Sequence, residues 1–319
     1  MSKPLIVVVG ATGAQGGSVV SAFLSDGTYQ IRAITRRPHS PKAKVLQDRG
    51  VEVVSADLNN EASLVEAFKG ATAIFAVTDF FEPFISSGPE VAVQVETAQG
   101  INLARAAAQT STLKHYIWST LPNASQISGG KYVIPHFDSK NKIDAFIKDI
   151  PALYEKTTFL WLTWFASNVQ FPVFRPALHK PSGKHVLLQP VPQNTPILSI
   201  GDQVSNVGHF ALSIVKQPDL TLPAKFVLAS TDSTTTGDLL KTWGKVTGKE
   251  TEYLEISLEQ YERFFPRWGT ELGMMMQYWA EVGDKSWSGE AVLTRQTLGI
   301  DAAFVGTEKA LGAVNWNED

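Results

Sequence analysis

The chain has no cysteine among its 319 residues. Disulfide staples and thiolate chemistry are thereby excluded, and a secreted, cross-linked product is not expected. An excess of charge is also missing. With 28 basic and 31 acidic residues the formal charge is -3, and no basic surplus exists to hold a nucleic-acid backbone. Long apolar runs are absent too. The longest, FLWLTWFA at 159–166, falls far short of the roughly 20 residues a bilayer-spanning helix needs. The N-terminal run Leu5–Val9 is too short for a signal peptide and leads straight into glycines. Neither a nucleic-acid nor a membrane partner is expected, and the cytoplasm is the expected location. No internal repeat or low-complexity tract is present.

What remains is the composition of a globular protein, 44% apolar and 18% charged, long enough for one large domain or two modest ones. The first half alternates. LIVVV reads as a buried strand, then come glycines, then a helix whose Val19, Val20, Phe23 and Leu24 form one stripe and whose stop is Gly27. QIRAITR, VEVVSADL, ATAIFAVT, LKHYIWST and TTFLWLTW read as further strands. PKAKVLQDRG, EASLVEAFKG, VETAQGINLARAAAQTS and the segment opened by Pro135 are the helices between them. Strict alternation predicts an α/β fold of Rossmann type, a doubly wound parallel sheet with helices on both faces.

Beyond about residue 170 the pattern loosens into proline-rich turns, short strands and helices such as DQVSNVGHFALSIVKQ, with Asp202 as its N-cap. Seven of the eight tryptophans lie after residue 150, where a substrate lobe is expected. The division expected is a dinucleotide-binding domain over 1–170 and a smaller mixed α/β C-terminal lobe over 171–319, some of whose strands could return to the first sheet.

VVVGATGAQGGS sets Gly10, Gly13 and Gly16 three residues apart between the first strand and the first helix. Gly10 permits the sharp turn, Gly13 lets backbone approach a pyrophosphate, and Gly16 lets the helix pack closely; Thr12, Ala14 and Gln15 complete the loop. The helix N-terminus then offers free N–H groups and a favourable dipole to phosphate. About 20 residues on, where an NAD-preferring site carries an acid, stands TRRPHSPKAK with no acid at all. Arg36, with Arg37 stacking or pointing outward, suits a 2′-phosphate, so the cofactor expected is NADPH or NADP. Asp57, followed by Leu58, closes the third strand, where it could accept from an adenine amino group or simply cap the next helix.

PHFDSKNKIDAFIK, residues 135–148, raises a question of its own. Its helical spacing puts His136 and Lys140 on one face with Ile143 and Ile147, the face that should be buried. A lysine there can snorkel to water and a histidine can be satisfied by backbone.

GATGAQGGS, TRRP, SADLNN, WSTLPN and HFDSK together resemble the NmrA-like family, an atypical branch of the short-chain dehydrogenase/reductase superfamily. The motifs are specific over about residues 5–170 and looser beyond, and their wording is similar to fungal members. The resemblance implies a Rossmann domain, a smaller lobe and a cleft between them. The superfamily's site pairs a tyrosine with a lysine four residues on, next to a serine from the preceding strand. Here that pair reads His136 and Lys140, with Ser119 and Thr120 near the serine position. The resemblance implies that Lys140 holds the nicotinamide ribose and that His136, Ser119 or Tyr132 serves the proton. It also implies that Thr78 in TDFFEP passes the cofactor's ribose and that Phe165 and Asn168 in TWFASN wall the nicotinamide. No metal is expected.

YERFFPRWGTELGMMMQYWAEVG combines aromatics with three methionines. As a helix pair it reads as core or a dimer face, with a lid over an apolar or aromatic substrate as the alternative. Two functions follow. One is an NADPH-dependent reductase of a small organic carbonyl, imine or activated alkene, of the sort used in fungal secondary metabolism, acting as monomer or homodimer. The other is a non-catalytic NADP(H)-sensing regulator that binds a partner protein.

Overall fold

In a computed structural model, which describes residues 3–316, the alternation closes into one parallel sheet. The outermost residues of the two expected domains, 1–2 and 317–319, lie outside the described residues. The first half runs β1 (Leu5–Val8), α1 (Ala14–Asp26), β2 (Gln30–Thr35), α2 (Pro41–Asp48), β3 (Glu52–Ser55), α3 (Glu61–Phe68) and β4 (Ala73–Ala76). It continues through α4 (Phe81–Ser87), α5 (Pro89–Ala108), β5 (His115–Thr120), α6 (Ala124–Ile127), α7 (Pro135–Lys148), α8 (Pro151–Tyr154) and β6 (Thr157–Leu162).

The second half begins with β7 (Trp164–Phe165), β8 (Ala177–His179), β9 (Lys184–Gln189), β10 (Pro196–Gly201), α9 (Gln203–Lys216) and α10 (Pro218–Thr221). Then come β11 (Lys225–Ala229), β12 (Asp232–Thr235), α11 (Thr236–Thr247), β13 (Thr251–Glu255), α12 (Leu258–Phe264), α13 (Trp268–Val282), β14 (Val292–Leu293) and α14 (Thr307–Gly312). Asp202 caps α9 as expected, its carboxylate accepting from the Val204 N–H. Gly27 ends α1 in the left-handed region, φ 70°.

The main sheet has eight strands in the order β14-β11-β6-β5-β4-β1-β2-β3, with every neighbour parallel. Chain order reverses between β1 and β4, and a crevice opens there beyond the carboxyl ends of the strands. Two strands of the second half, β11 and β14, extend this sheet past β6. The other second-half strands form two three-stranded sheets, β12-β10-β7 and β13-β9-β8. The sixth strand stops at Leu162 instead of running through Trp164, because Trp164 and Phe165 pair with β10 of a different sheet. Among the described residues no helix is long and apolar enough to cross a membrane.

Side-chain alternation along the strands divides the core. Val7, Ile74, Trp118 and Phe159 belong to one apolar cluster; Ile6, Val8, Phe75 and Ile117 belong to the one on the opposite face. Two glycines set how closely the covering helices lie. A Cβ at Gly208 of α9 would sit 2.2 Å from the Ser18 carbonyl oxygen of α1. One at Gly100 of α5 would sit 2.2 Å from Cδ1 of Ile143 on α7. The second contact matters for function. Glu96 lies one turn before Gly100 on α5, and Lys140 one turn before Ile143 on α7, so the same close crossing brings acid and lysine together.

Candidate functional site

A cleft of about 1290 Å³ runs over the crevice. All fourteen residues expected to contact a cofactor line it, as do Ser119 and His136. At one end is the glycine turn. Gly10 has φ +67°, a conformation side chains resist, and a Cβ at Gly16 would lie 2.3 Å from the Gly10 carbonyl oxygen. Helix α1 begins at this turn with no side-chain cap and no acid in its first turn, so its N–H groups and positive dipole end face the cleft. These features fit a pyrophosphate. Gln15 bridges to β5, its Oε1 accepting from the Ser119 hydroxyl at 2.9 Å.

Arg36 and Arg37 stand at the exposed rim. Arg36 Nη2 pairs with the Glu82 carboxylate at 2.8 Å, both side chains being about half exposed (53% and 55%), so exchanging that partner for another anion costs about 1 kcal/mol or less. Asp57 is exposed, and its Oδ1 accepts from the backbone and side-chain N–H groups of Asn59, each at 3.0 Å. It does not cap α3. That position belongs to Asn60, whose side chain accepts from the Ser63 N–H, because α3 starts three residues further on than a cap at Asp57 requires.

At the middle of the cleft, α7 presents its polar stripe. Lys140 is buried with its ammonium 2.9 Å from Glu96 Oε1, 2.6 Å from Thr78 Oγ1 and 3.2 Å from the Thr78 carbonyl. Those contacts take all three of its N–H donors. Glu96 is fully buried and also accepts from Thr78 Oγ1 at 2.7 Å and from the Ser139 hydroxyl. The ammonium lies over the Trp118 ring, 5.1 Å from its centroid. Thus the lysine neither snorkels nor stands alone; it is held at the cleft wall by a charge-compensated network.

One turn further along α7, Asp144 is buried beneath the cleft floor. Trp118 Nε1 donates to its Oδ1 at 2.7 Å, and Thr120 Oγ1 lies 2.8 and 3.0 Å from its two oxygens. Burial pushes this carboxyl up to about 7, against the opposing pull of the Thr120 and Trp118 hydrogen bonds.

The far end of the cleft is aromatic. His136 is held there by Glu271 of α13, which accepts from its Nδ1 at 2.5 Å and its backbone N–H at 3.1 Å. Phe81, Trp268, Phe171, Leu272, Met275 and Trp279 wall the chamber around it. The α12–α13 helix pair therefore serves core and cleft together: Met276 is buried in the core, while Met275 also faces the chamber.

Tyr132 is not on the cleft wall, which corrects the expectation for it. Pro135 is the first residue of α7, and the segment before it is extended at Ile134, so Tyr132 leaves the helical stripe of His136 and Lys140. Its hydroxyl donates to Glu281 at 2.7 Å, and its ring packs edge-on against Tyr278. Sequence reasoning missed Glu96, Asp144 and Glu271. A signal existed for Asp144, four residues after Lys140 on the same helical face. None existed for Glu96 or Glu271, which reach α7 only through folding.

A dinucleotide-type cradle that opens into an aromatic chamber defines the class of protein. The NmrA-like family model matches residues 2–311. An NmrA-like family domain-containing protein of Dictyostelium discoideum is 27% identical over 286 residues, 89% of each chain. The NmrA-like family domain-containing oxidoreductase hkm9 of Aspergillus hancockii is 30% identical over 165 residues, 51% of this chain and 47% of that one. Against that oxidoreductase the chain thus matches about half the length. Among solved structures, NmrA, a negative transcriptional regulator in complex with NAD, superposes with a TM-score of 0.76 at 19% identity, over 98% of this chain and 96% of its own. The Citrobacter triphenylmethane reductase complexed with NADP(H) gives 0.68 at 20% identity, over 97% and 98%. At such identities the likeness is one of fold. The chain belongs to the NmrA-like family.

Proposed function

We propose that this chain is an NADPH-dependent reductase of a small apolar, ring-bearing carbonyl, imine or activated alkene. The observation that carries the reading is the continuity of one cleft, from a phosphate-fitting glycine turn past Lys140 to an aromatic chamber. The relative named as an oxidoreductase and the NADP(H)-bound reductase of like fold support it.

On this reading residues 1–170 hold the cofactor and 171–319 shape the substrate, although β11 and β14 add to the first sheet. Gly10, Gly13, Gly16 and the N–H groups of Ala14 and Gln15 would hold the pyrophosphate. Arg36, released from Glu82, would take the 2′-phosphate, with Arg37 beside it and Asp57 and Leu58 against the adenine. Thr78 and Lys140 would hold the nicotinamide ribose, Lys140 giving up its longest hydrogen bond, to the Thr78 carbonyl. Phe165 and Asn168 would wall the ring. When bound, NADPH supplies a hydride. The protein's part is to align the substrate against it, exclude water with Trp268, Trp279 and Phe171, and provide a proton.

NmrA shares the fold and is a regulator, so the same experiment must separate the two readings. NADPH oxidation is followed over a panel of quinones, enones, cyclic ketones and cyclic imines, with Lys140→Ala as the control. The reductase reading expects turnover of at least one class, lost in Lys140→Ala. Tight NADPH binding with no turnover of any class supports the sensing module instead.

A further inference from the structure

We propose that Asp144 and Thr120 form a proton relay that opens into the cleft and supplies the proton of the reduction. The proposal rests on the reductase reading above, and it names a proton source that does not depend on a tyrosine.

The hydrogen-bond inventory fixes where the proton can sit. The Trp118 indole can only donate, and it donates to Oδ1 of Asp144 at 2.7 Å. Among the described residues the hydrogen-bond partner of Oδ2 is the Thr120 hydroxyl, 3.0 Å away. When Asp144 is ionised, the threonine O–H is spent on the carboxylate. When Asp144 is protonated, the proton sits on Oδ2 and is donated to Oγ1, and the threonine O–H is released toward the cleft that Thr120 lines. The protonation state of a buried acid therefore sets the direction of a hydroxyl on the cleft wall.

The other hydroxyl of the strand is differently placed. Ser119 donates to Gln15 Oε1 and has no acid behind it. His136 is committed through Nδ1 to Glu271.

The surroundings keep the acid titratable near neutrality. The cations near it are Lys140 and Lys148, one turn to either side on its own helix. The first is already compensated by Glu96 of α5, and the second is paired at the surface with Glu290. From β5 it meets Trp118 and Thr120, which carry no charge, and that strand's buried Tyr116 stays neutral because burial pushes its phenol far above the usual range. No cation donates a hydrogen bond to the Asp144 carboxyl, so desolvation outweighs stabilisation of the anion and the acid form persists to a pH of about 7.

NADPH, when bound, would be the reductant and would supply the hydride. The electron pair of the substrate's double bond moves to its far atom, which takes the Thr120 hydroxyl proton while Oγ1 takes the proton of Asp144 Oδ2. Asp144 is left a carboxylate and is reprotonated from solvent before the next turnover.

The test uses the full chain with Asp144→Asn, which keeps the Oδ1 acceptor for the Trp118 indole but replaces Oδ2 with an amide nitrogen that can only donate, and Thr120→Val. The first readout needs no substrate. Aspartate carboxyl carbons are titrated by NMR, with and without NADPH. The relay requires one midpoint within a unit of about 7 that vanishes in Asp144→Asn. A midpoint in the ordinary carboxylate range, near 4, overturns it. The second readout is NADPH oxidation with menadione as a quinone probe. Both variants should lose about 100-fold in kcat with NADPH affinity unchanged. Wild-type kcat should fall about tenfold per pH unit above the midpoint, and Asp144→Asn should lose that slope. Full activity in either variant, or an unchanged slope, overturns the relay. If menadione is not reduced, the carboxyl titration decides alone. If wild-type chain fails to bind NADPH, the reductase reading falls, while the titration still reports on Asp144.

Discussion

Glu271 accepts two hydrogen bonds from His136, one from its backbone N–H and one from Nδ1, and the two residues are 135 positions apart in sequence. With Glu271 as the acceptor of both bonds, the ring proton of His136 is the one on Nδ1. The contact ties the start of α7 to α13 and so joins the cofactor half of the cleft to its aromatic end.

Glu271→Ala should therefore destabilise the chain by about 2–4 kcal/mol, since two buried donors lose their acceptor at once. Glu271→Gln, which keeps an acceptor oxygen, should lose less than half of that. Urea unfolding monitored by tryptophan fluorescence measures both, and equal losses would show that hydrogen bonding is not what the residue contributes.

Glu96 and Lys140 form a buried pair, and breaking it from one side leaves a charge without a partner. Glu96→Ala should lose about 3–5 kcal/mol. The double substitution Glu96→Leu with Lys140→Met should recover most of that stability while losing NADPH affinity. Denaturation midpoints together with fluorescence titration of NADPH read out the two effects separately.

Two adjacent glycines of α1 should respond with opposite signs. Gly16→Ala drives a methyl against the Gly10 backbone at 2.3 Å and should destabilise by about 1–3 kcal/mol. At Gly17 the nearest atom is 3.5 Å away, an ordinary contact, and Gly17→Ala in the same helix should stabilise by up to about 1 kcal/mol. Thermal unfolding of the two variants side by side is the check.

The raised Asp144 carboxyl has a sign in the stability profile. Its folded value, about 7, lies above the usual 3.8, so the native state holds the extra proton between them. The stability tied to that proton is full below about pH 4 and is lost as pH rises through 7. Relative to Asp144→Asn, wild type should weaken between pH 4 and 8 by an amount on the order of 4 kcal/mol. Urea midpoints at matched pH values test this, and parallel profiles for the two proteins would refute it.

The sequence made the sheet legible because each strand of the first half is a short apolar run punctuated by glycine or a helix start. The glycine turn was legible because its spacing is dictated by backbone geometry. Lys140 was visible as a polar residue on an apolar stripe, and Asp144 stands on that stripe too. What could not be read was pairing at long range. Glu96 sits in a helix whose pattern resembles any amphipathic helix, and only the close crossing at Gly100 aims it at Lys140. Tyr132 was misplaced for a related reason: it stands in the loop before Pro135, and what turns its hydroxyl away from the cleft is Glu281, 149 positions further on.

The central claim is that this cleft is built for NADPH. Calorimetric titration of the wild-type chain and of Arg36→Ala with NADPH and NADH tests it most directly. The account predicts one site per chain, NADPH bound at least about tenfold more tightly than NADH, or ~1.4 kcal/mol, and that preference abolished by Arg36→Ala. Absence of binding, or equal affinity of the wild-type chain for the two nucleotides, would contradict it.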